Sequence, residues 1–392
     1  MGLNNKMSKE PNIFDYATGE LSQDAFICWL LNWLDYTEDH ELKNAAKEFI
    51  LLLCKKNHPR ADKITLESIG KLLVTGKGKV LRQYGKMDVF FAVEIDGKRS
   101  EFIIEDKTNT FPHSNQLKKY VNFVIEEQKK RSGKVEDEIV KIYYKSGYLF
   151  GKDKDECAFV KEEKPEERKK YHFGILNCSA IHDFLTGIAT DNVIFTSYRD
   201  YISKIKDNHD EIISQLTEKE GYKKLKFDFF QYELMKYISK WCPETIGEMA
   251  ISHGTSSGRP WTQYRFIFLK DSYDKKINES VFYRFEKRKN KSTGGYEYCL
   301  SIRQYAVINK TGIPKKIERL GIYKKLFSEV ESEISGLSFG KAVKDKSGSN
   351  SSEIAVLFFD KNQNNIHSLK RVLPLVHSKF LALINEHEQL IP

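Results

Sequence analysis

The 392-residue chain has no apolar run approaching the ~20 residues that a helical membrane span requires. Its most apolar stretch, Trp29 to Leu34, stops at Asp35, so a membrane protein is not expected. The first eleven residues are polar and lack both an apolar core and a small-residue cleavage site. No signal peptide is therefore expected, and the expected compartment is the cytoplasm. The six cysteines form no C-x-x-C pair and mostly sit in apolar segments, where a reduced thiol behaves as a small hydrophobe. The ten histidines include no H-E-x-x-H and no Cys/His cluster at zinc spacing. Any metal must then bind through oxygen. No internal repeat is present.

Two other motifs fail on context. Gly254-Thr-Ser256-Ser-Gly258 matches G-x-S-x-G, but a nucleophile elbow needs a strand, a sharp turn and a helix, whereas Arg259-Pro260-Trp261 leads into a strand. Gly70 and Gly76-Lys77 miss the spacing of a phosphate loop, and Gly78 stands where Ser or Thr is required. Neither a serine hydrolase nor an ATP site is expected.

With 40% hydrophobic and 30% charged residues the chain can build packed cores, and its length suits two domains. Charge divides unevenly between residues 1–220 and 221–392, which carry net −2 and +11 of the overall +9. We expect domains with those limits, the second one basic enough to hold a polyanion.

Helical apolar spacing covers Glu20 to Leu34 and Glu41 to Lys55. Strand-like segments follow at Val80 to Tyr84, Asp88 to Ile95 and Lys98 to Glu105, then a helix from Ser114, its N-cap, to Lys130. Val140 to Tyr144 and His172 to Leu176 read as further strands, separated by the charged tract Gly151 to Lys170, read as a solvated excursion. Ile181 to Gly187 and a long helix ending near Thr217 close the first domain. The second domain opens with a helix, Lys223 to Lys240. Strands at 246–252, 261–269, 281–288 and 296–304 and helices near 322–334 and 366–388 follow.

The chemistry is most visible around Asp96-Gly97, a dipeptide that favours a two-residue type I′ hairpin turn. Such a turn pairs Ile95 with Lys98, and the same register places Asp88 directly across from Glu105. Facing carboxylates repel unless a cation or a shared proton compensates. Strand alternation puts Lys107 on the Glu105 face and Asp106 on the other. Two acids and a lysine on one face suit metal-assisted phosphodiester hydrolysis, and a strand-end salt bridge is the alternative reading. Gln116 and Tyr120 lie one turn apart on one helical face near the helix start, which favours phosphate.

Lys86-Met-Asp88, Phe102-Ile-Ile-Glu105-Asp-Lys107 and Gln116-Leu-Lys-Lys-Tyr120 together resemble the PD-(D/E)XK nuclease superfamily, in the branch with a Q-x-x-x-Y helix. The resemblance covers roughly the first 200 residues. Met87 departs from the family's proline at a loosely kept position. The resemblance implies a restriction-endonuclease-like α/β core with a central mixed β-sheet flanked by helices, here followed by a C-terminal α+β domain. It further implies metal binding by Asp88 and Glu105, a catalytic Lys107, and Gln116 and Tyr120 lining the site. Phe14 to Leu31 looks like the opening helix of bacterial members, in which an acid at the position of Glu20 reaches the metal; Asp24 shares its helical face, the choice between them is open, and a simple dipole role at the helix start is the alternative reading for either.

Phe282 to Lys291 interleaves aromatics with Arg284, Lys287, Arg288 and Lys289, a pattern suited to phosphates and bases, though a solvated hairpin tip is the competing reading. Arg259 is placed to join it. The expectation is a Mg²⁺-dependent endonuclease, with Mn²⁺ able to substitute, acting on DNA rather than RNA in restriction or anti-phage defence. A homodimer is a candidate assembly. The rival readings are a non-catalytic nucleic-acid binder on a nuclease scaffold and a nuclease gated by a ligand-sensing C-terminal domain.

Overall fold

The computed structural model describes residues 12–390 except 17–18, 37–38, 109, 113–114, 134–137, 160–161, 163, 218–226, 257–258, 274–276, 290–293, 308–312, 342–349, 360–365 and 388–389. The chain divides into two compact units, residues 1–209 and 210–392.

In the first unit α1 (Gly19–Asn32) and α2 (His40–Asn57) precede four strands, β1 (Ile69–Leu73), β2 (Val80–Tyr84), β3 (Met87–Ile95) and β4 (Lys98–Lys107). Then come α3 (Gln116–Ser132), β5 (Glu138–Lys145), α4 (Gly151–Ala158), α5 (Pro165–Tyr171), β6 (Gly174–Asn177), α6 (Cys178–Gly187) and α7 (Val193–Thr217). The sheet runs β1-β3-β4-β5-β6, with β2 also paired to β3. Its first half is antiparallel and β4, β5 and β6 are parallel, so the sheet is mixed, as expected.

Alternation along the central strands sorts side chains between two cores. Val89, Phe91, Val93, Phe102 and Ile104 bury against α1 and α2 residues such as Ile27, Leu30, Phe49 and Leu53. Phe90 and Ile103 turn the other way, toward Leu117, Val121 and Val124 of α3. Fully burying one such side chain contributes ~1.5–3 kcal/mol, so a one-residue slip of β4 is strongly disfavoured. That constraint carries Glu105 and Lys107 onto the α3 face and Asp106 onto the α1 face.

Three local readings need correction. The charged tract from Gly151 is not a solvated excursion: it holds α4 and α5, with Asp153 and Cys157 buried. Asp153 escapes solvent because the Tyr143 hydroxyl donates to it at 2.6 Å and the Phe150 N–H at 2.9 Å. Helix α3 starts at Gln116 after a left-handed Asn115 (φ 61°), and the expected Ser114 cap lies outside the described residues. Strand β1 is not among the expected strands; Gly70 lets it approach β3, where a Cβ would meet the Glu94 carbonyl at 3.2 Å.

The second unit contains α8 (Phe227–Trp241), β7 (Ala250–Ser256), β8 (Arg259–Tyr273), β9 (Ile277–Lys289), β10 (Tyr296–Tyr305), α9 (Ile313–Glu333), β11 (Gly340–Lys341), β12 (Ser351–Phe358) and α10 (Ile366–Asn385). The strands form an antiparallel sheet in the order β11-β12-β10-β9-β8-β7. Phe285 of β9 packs on Phe230 of α8, and Tyr283 on His377 of α10. Strand β12 gave no sequence signal because it is buried along most of its length, which erases alternation. Arg259 opens β8 after β7, so the G-x-S-x-G segment joins two strands and is no elbow. No helix among the described residues is long and apolar enough to cross a membrane.

Candidate active site

The hairpin fixes the site. Asp96 (φ 50°) and Gly97 (φ 74°) both adopt positive φ, as a type I′ turn requires, and the ladder pairs Ile95 with Lys98 through Val89 with Ile104. The next step brings Asp88 beside the start of the Glu105–Lys107 segment. Asp88 Oδ2 accepts the Asp106 backbone N–H at 2.9 Å, and Oδ1 accepts Gln83 Nε2 at 3.1 Å. A second tight turn, Gly85-Lys86, precedes Asp88, again with both residues at positive φ. Gly85 is required there twice over, since a Cβ would also strike the Phe123 ring at 2.6 Å.

Lys107 is the hub. Its ammonium donates to Glu105 Oε1 at 2.6 Å and to the Asp106 carbonyl at 2.8 Å, and lies 3.6 Å from Asp88 Oδ2 and 3.8 Å from Glu20 Oε2. Three carboxylates, from α1, β3 and β4, thus surround one cation. Gln116 Nε2 donates to Glu105 Oε1 at 2.8 Å and to the Tyr120 hydroxyl at 2.6 Å, and that hydroxyl donates to the Lys86 carbonyl at 2.7 Å. The Q-x-x-x-Y pair therefore ties Glu105 to the turn that carries Asp88.

Glu20 and Asp24 separate here. Glu20 reaches the lysine with its side chain 36% exposed, whereas Asp24 is buried and its partner is Arg82, at 3.7 Å. Sequence reasoning missed Gln83 and the Thr108 and Thr110 donors to Glu20, because loop hydrogen bonds leave no periodic signature.

Burial, and then the Asp88 charge, push Glu105 up to about 8 despite the opposing Lys107. Burial followed by Asp88 raises Asp24 to about 7. Burial works against charge on Lys107, but Glu105, Asp88 and Glu20 outweigh it and raise its pKa. Burial and the Glu105 charge likewise raise Tyr120. Between its ordinary value of 4.5 and about 8, folded Glu105 keeps a proton that the unfolded chain releases. Stability of the metal-free chain should thus fall as pH rises through that window. Glu105→Gln should flatten the fall and raise Tm in EDTA at the upper end, by about 2–4 °C per kcal/mol regained. Thermal melts across the window check this, and an undiminished slope in the variant contradicts it.

Among the described residues, no three acidic, His or Cys side chains converge as a ready metal cage; Lys107 holds the acids instead. The donor set nevertheless fits a hard divalent cation. It is all oxygen, it already encloses a positive charge, and the buried Glu105 Oε2 has no hydrogen-bond partner among the described residues.

The basic segment of the second unit is strand, not hairpin tip, up to Lys289. Arg284 pairs with Glu286 at 3.1 Å and stacks on Trp261, and the buried Arg288 pairs with Glu353 at 2.7 Å. Lys287 lies over the Tyr298 ring and Lys289 is exposed at the strand end. The Arg259 side chain lies outside the described residues.

A family model described as PD-(D/E)XK nuclease superfamily matches residues 11–259, which include every residue of the Lys107 cluster. No curated protein and no solved structure matches the chain. With a mixed sheet flanked by helices and a family match over more than half its length, the chain belongs to the PD-(D/E)XK nuclease superfamily.

Proposed function

We propose that the chain is a Mg²⁺-dependent endonuclease that hydrolyses DNA phosphodiester bonds, with Mn²⁺ able to substitute, in a restriction or anti-phage defence role. The observation that carries this reading is the enclosure of Lys107 by Glu20, Asp88 and Glu105, with Gln116 and Tyr120 bracing Glu105. Asp88, Glu105 and Glu20 would hold the cation. When bound, it supplies Lewis-acid polarisation of the phosphate and a more acidic water. Lys107 supplies fixed positive charge beside the acids, suited to orienting the attacking water or steadying charge that develops on phosphate. Gln116 and Tyr120 keep Glu105 turned toward Asp88. The test is a panel of plasmid DNA, single-stranded DNA and RNA, each with Mg²⁺, Mn²⁺ or EDTA. Metal-dependent cleavage of DNA supports the proposal, cleavage of RNA alone reassigns the substrate, and tight metal-independent binding without cleavage replaces it with a scaffold binder.

For the second unit the proposal is that its excess positive charge holds the nucleic acid, Lys289, exposed at the strand end, and the partly exposed Lys287 being better placed than the buried Arg288. Lys287→Gln with Lys289→Gln should flatten the plot of log affinity for duplex DNA against log salt by about 0.9 per lost phosphate contact. Arg288→Gln should leave that slope unchanged and instead lower Tm, because it removes the 2.7 Å partner of the buried Glu353. Equal slopes for wild type and the double lysine variant would remove both lysines from the interface.

A further inference from the structure

A second buried lysine stands beside the site. Lys145 ends β5 in register with Lys107 on β4, and its side chain is fully buried. Its ammonium lies 3.5 Å from Asp153 Oδ1 on α4 and donates to the Thr110 carbonyl at 2.7 Å. Asp153 is itself held by the Tyr143 hydroxyl and the Phe150 N–H, so this end of the chain of contacts is rigid. The Phe111 ring adds a second anchor, 5.3 Å from the Lys145 ammonium and 5.4 Å from the Phe150 ring.

The other end of the same short loop grips Glu20. The Thr110 hydroxyl donates to Glu20 Oε1 at 2.7 Å, and the Thr108 N–H reaches the same oxygen at 3.3 Å. Thr108 is steadied in turn by Gln23 Nε2 at 2.5 Å and by Ser146 at 3.3 Å. Glu20 sits in the first turn of α1 and is partly exposed, so these donors offset the side-chain entropy lost in holding it in one rotamer.

We propose that Lys145 is a positioning residue: held by Asp153, it fixes the Thr110 carbonyl and thereby sets the Thr108 and Thr110 donors that aim Glu20 at Lys107 and the metal. This rests on the reading above that Glu20 joins Asp88 and Glu105 in holding the cation. An alternative in which the Lys145–Asp153 pair only anchors α4 predicts no effect at Glu20. Outer partners of metal-ligating carboxylates are worth 10–100-fold in metal affinity, about the effect expected here.

The experiment is isothermal titration of the full-length chain with Ca²⁺, with melting curves in EDTA as the folding control. Lys145→Met combined with Asp153→Asn removes both buried charges together, and Thr110→Val cuts the link at its surface end. Each should weaken Ca²⁺ binding by about 10–100-fold without lowering the melting temperature to match. Neither should weaken it further in a Glu20→Gln background, since residues acting through one another are not additive. Unchanged affinity in the folded variants, or full additivity with Glu20→Gln, overturns the proposal. Should the double variant not fold, Thr110→Val decides alone. Glu105→Ala separates the levels: if it binds Ca²⁺ like wild type, the metal-site reading fails, whereas if it loses binding while the Lys145 and Thr110 variants keep theirs, only the positioning role fails.

Discussion

Replacing either facing carboxylate, as Asp88→Asn or Glu105→Gln, is expected to take DNA cleavage below detection while leaving the fold and nucleic-acid binding in place. Both side chains lie within 3.6 Å of the Lys107 ammonium, so each loss removes a charge from the group that would hold the cation. The amide variants are the informative ones. Asp88→Ala would also strip the acceptor from the Asp106 N–H, so part of any loss would come from an unsatisfied backbone group. Glu105→Gln should gain stability in EDTA at the upper end of the pH window from 4.5 to about 8, where burial and Asp88 oppose ionisation of Glu105, as it loses activity. Cleavage assays run beside thermal melts measure both. A variant that loses activity only in proportion to lost stability would point to the strand-end salt bridge as the whole role of the pair.

Lys107→Ala is the second large effect, a loss of about 10²–10³ in rate, the scale of removing one preorganised charge-stabilising group. Metal affinity should be retained or even rise, because the ammonium that sits among Glu20, Asp88 and Glu105 is gone. Single-turnover rates at saturating Mg²⁺, paired with Ca²⁺ titration, separate the two. If binding is lost while the rate per bound metal survives, Lys107 is an organiser of the acids and not a participant in the chemistry.

Much of this site was legible because a turn does the arithmetic. Asp96-Gly97 sets the register from Ile95–Lys98 to Val89–Ile104, that register carries Asp88 to the start of the Glu105–Lys107 segment, and a period of two assigns Lys107 and Asp106 to opposite faces. Gln116 and Tyr120 were legible for the same reason at helical period. What stayed hidden depends on contacts between distant segments. Glu20 and Asp24 share one face of α1, and only the loop at Thr108 and Thr110 and the partner Arg82 tell them apart. Asp153, the partner of Lys145, was obscured by a tract whose charges read as solvated, although Tyr143 and Phe150 supply partners that make its burial tolerable. Arg284 and Arg288 looked free because their acids, Glu286 and Glu353, lie two residues along the strand and on β12.

The most direct measurement is cleavage of plasmid DNA by the purified full-length chain, wild type against Glu105→Gln, with Mg²⁺ and with EDTA. The account predicts cleavage by wild type only with Mg²⁺ and none by the variant under either condition. Cleavage that persists in EDTA, or a Glu105→Gln chain that cuts as fast as wild type, would contradict it.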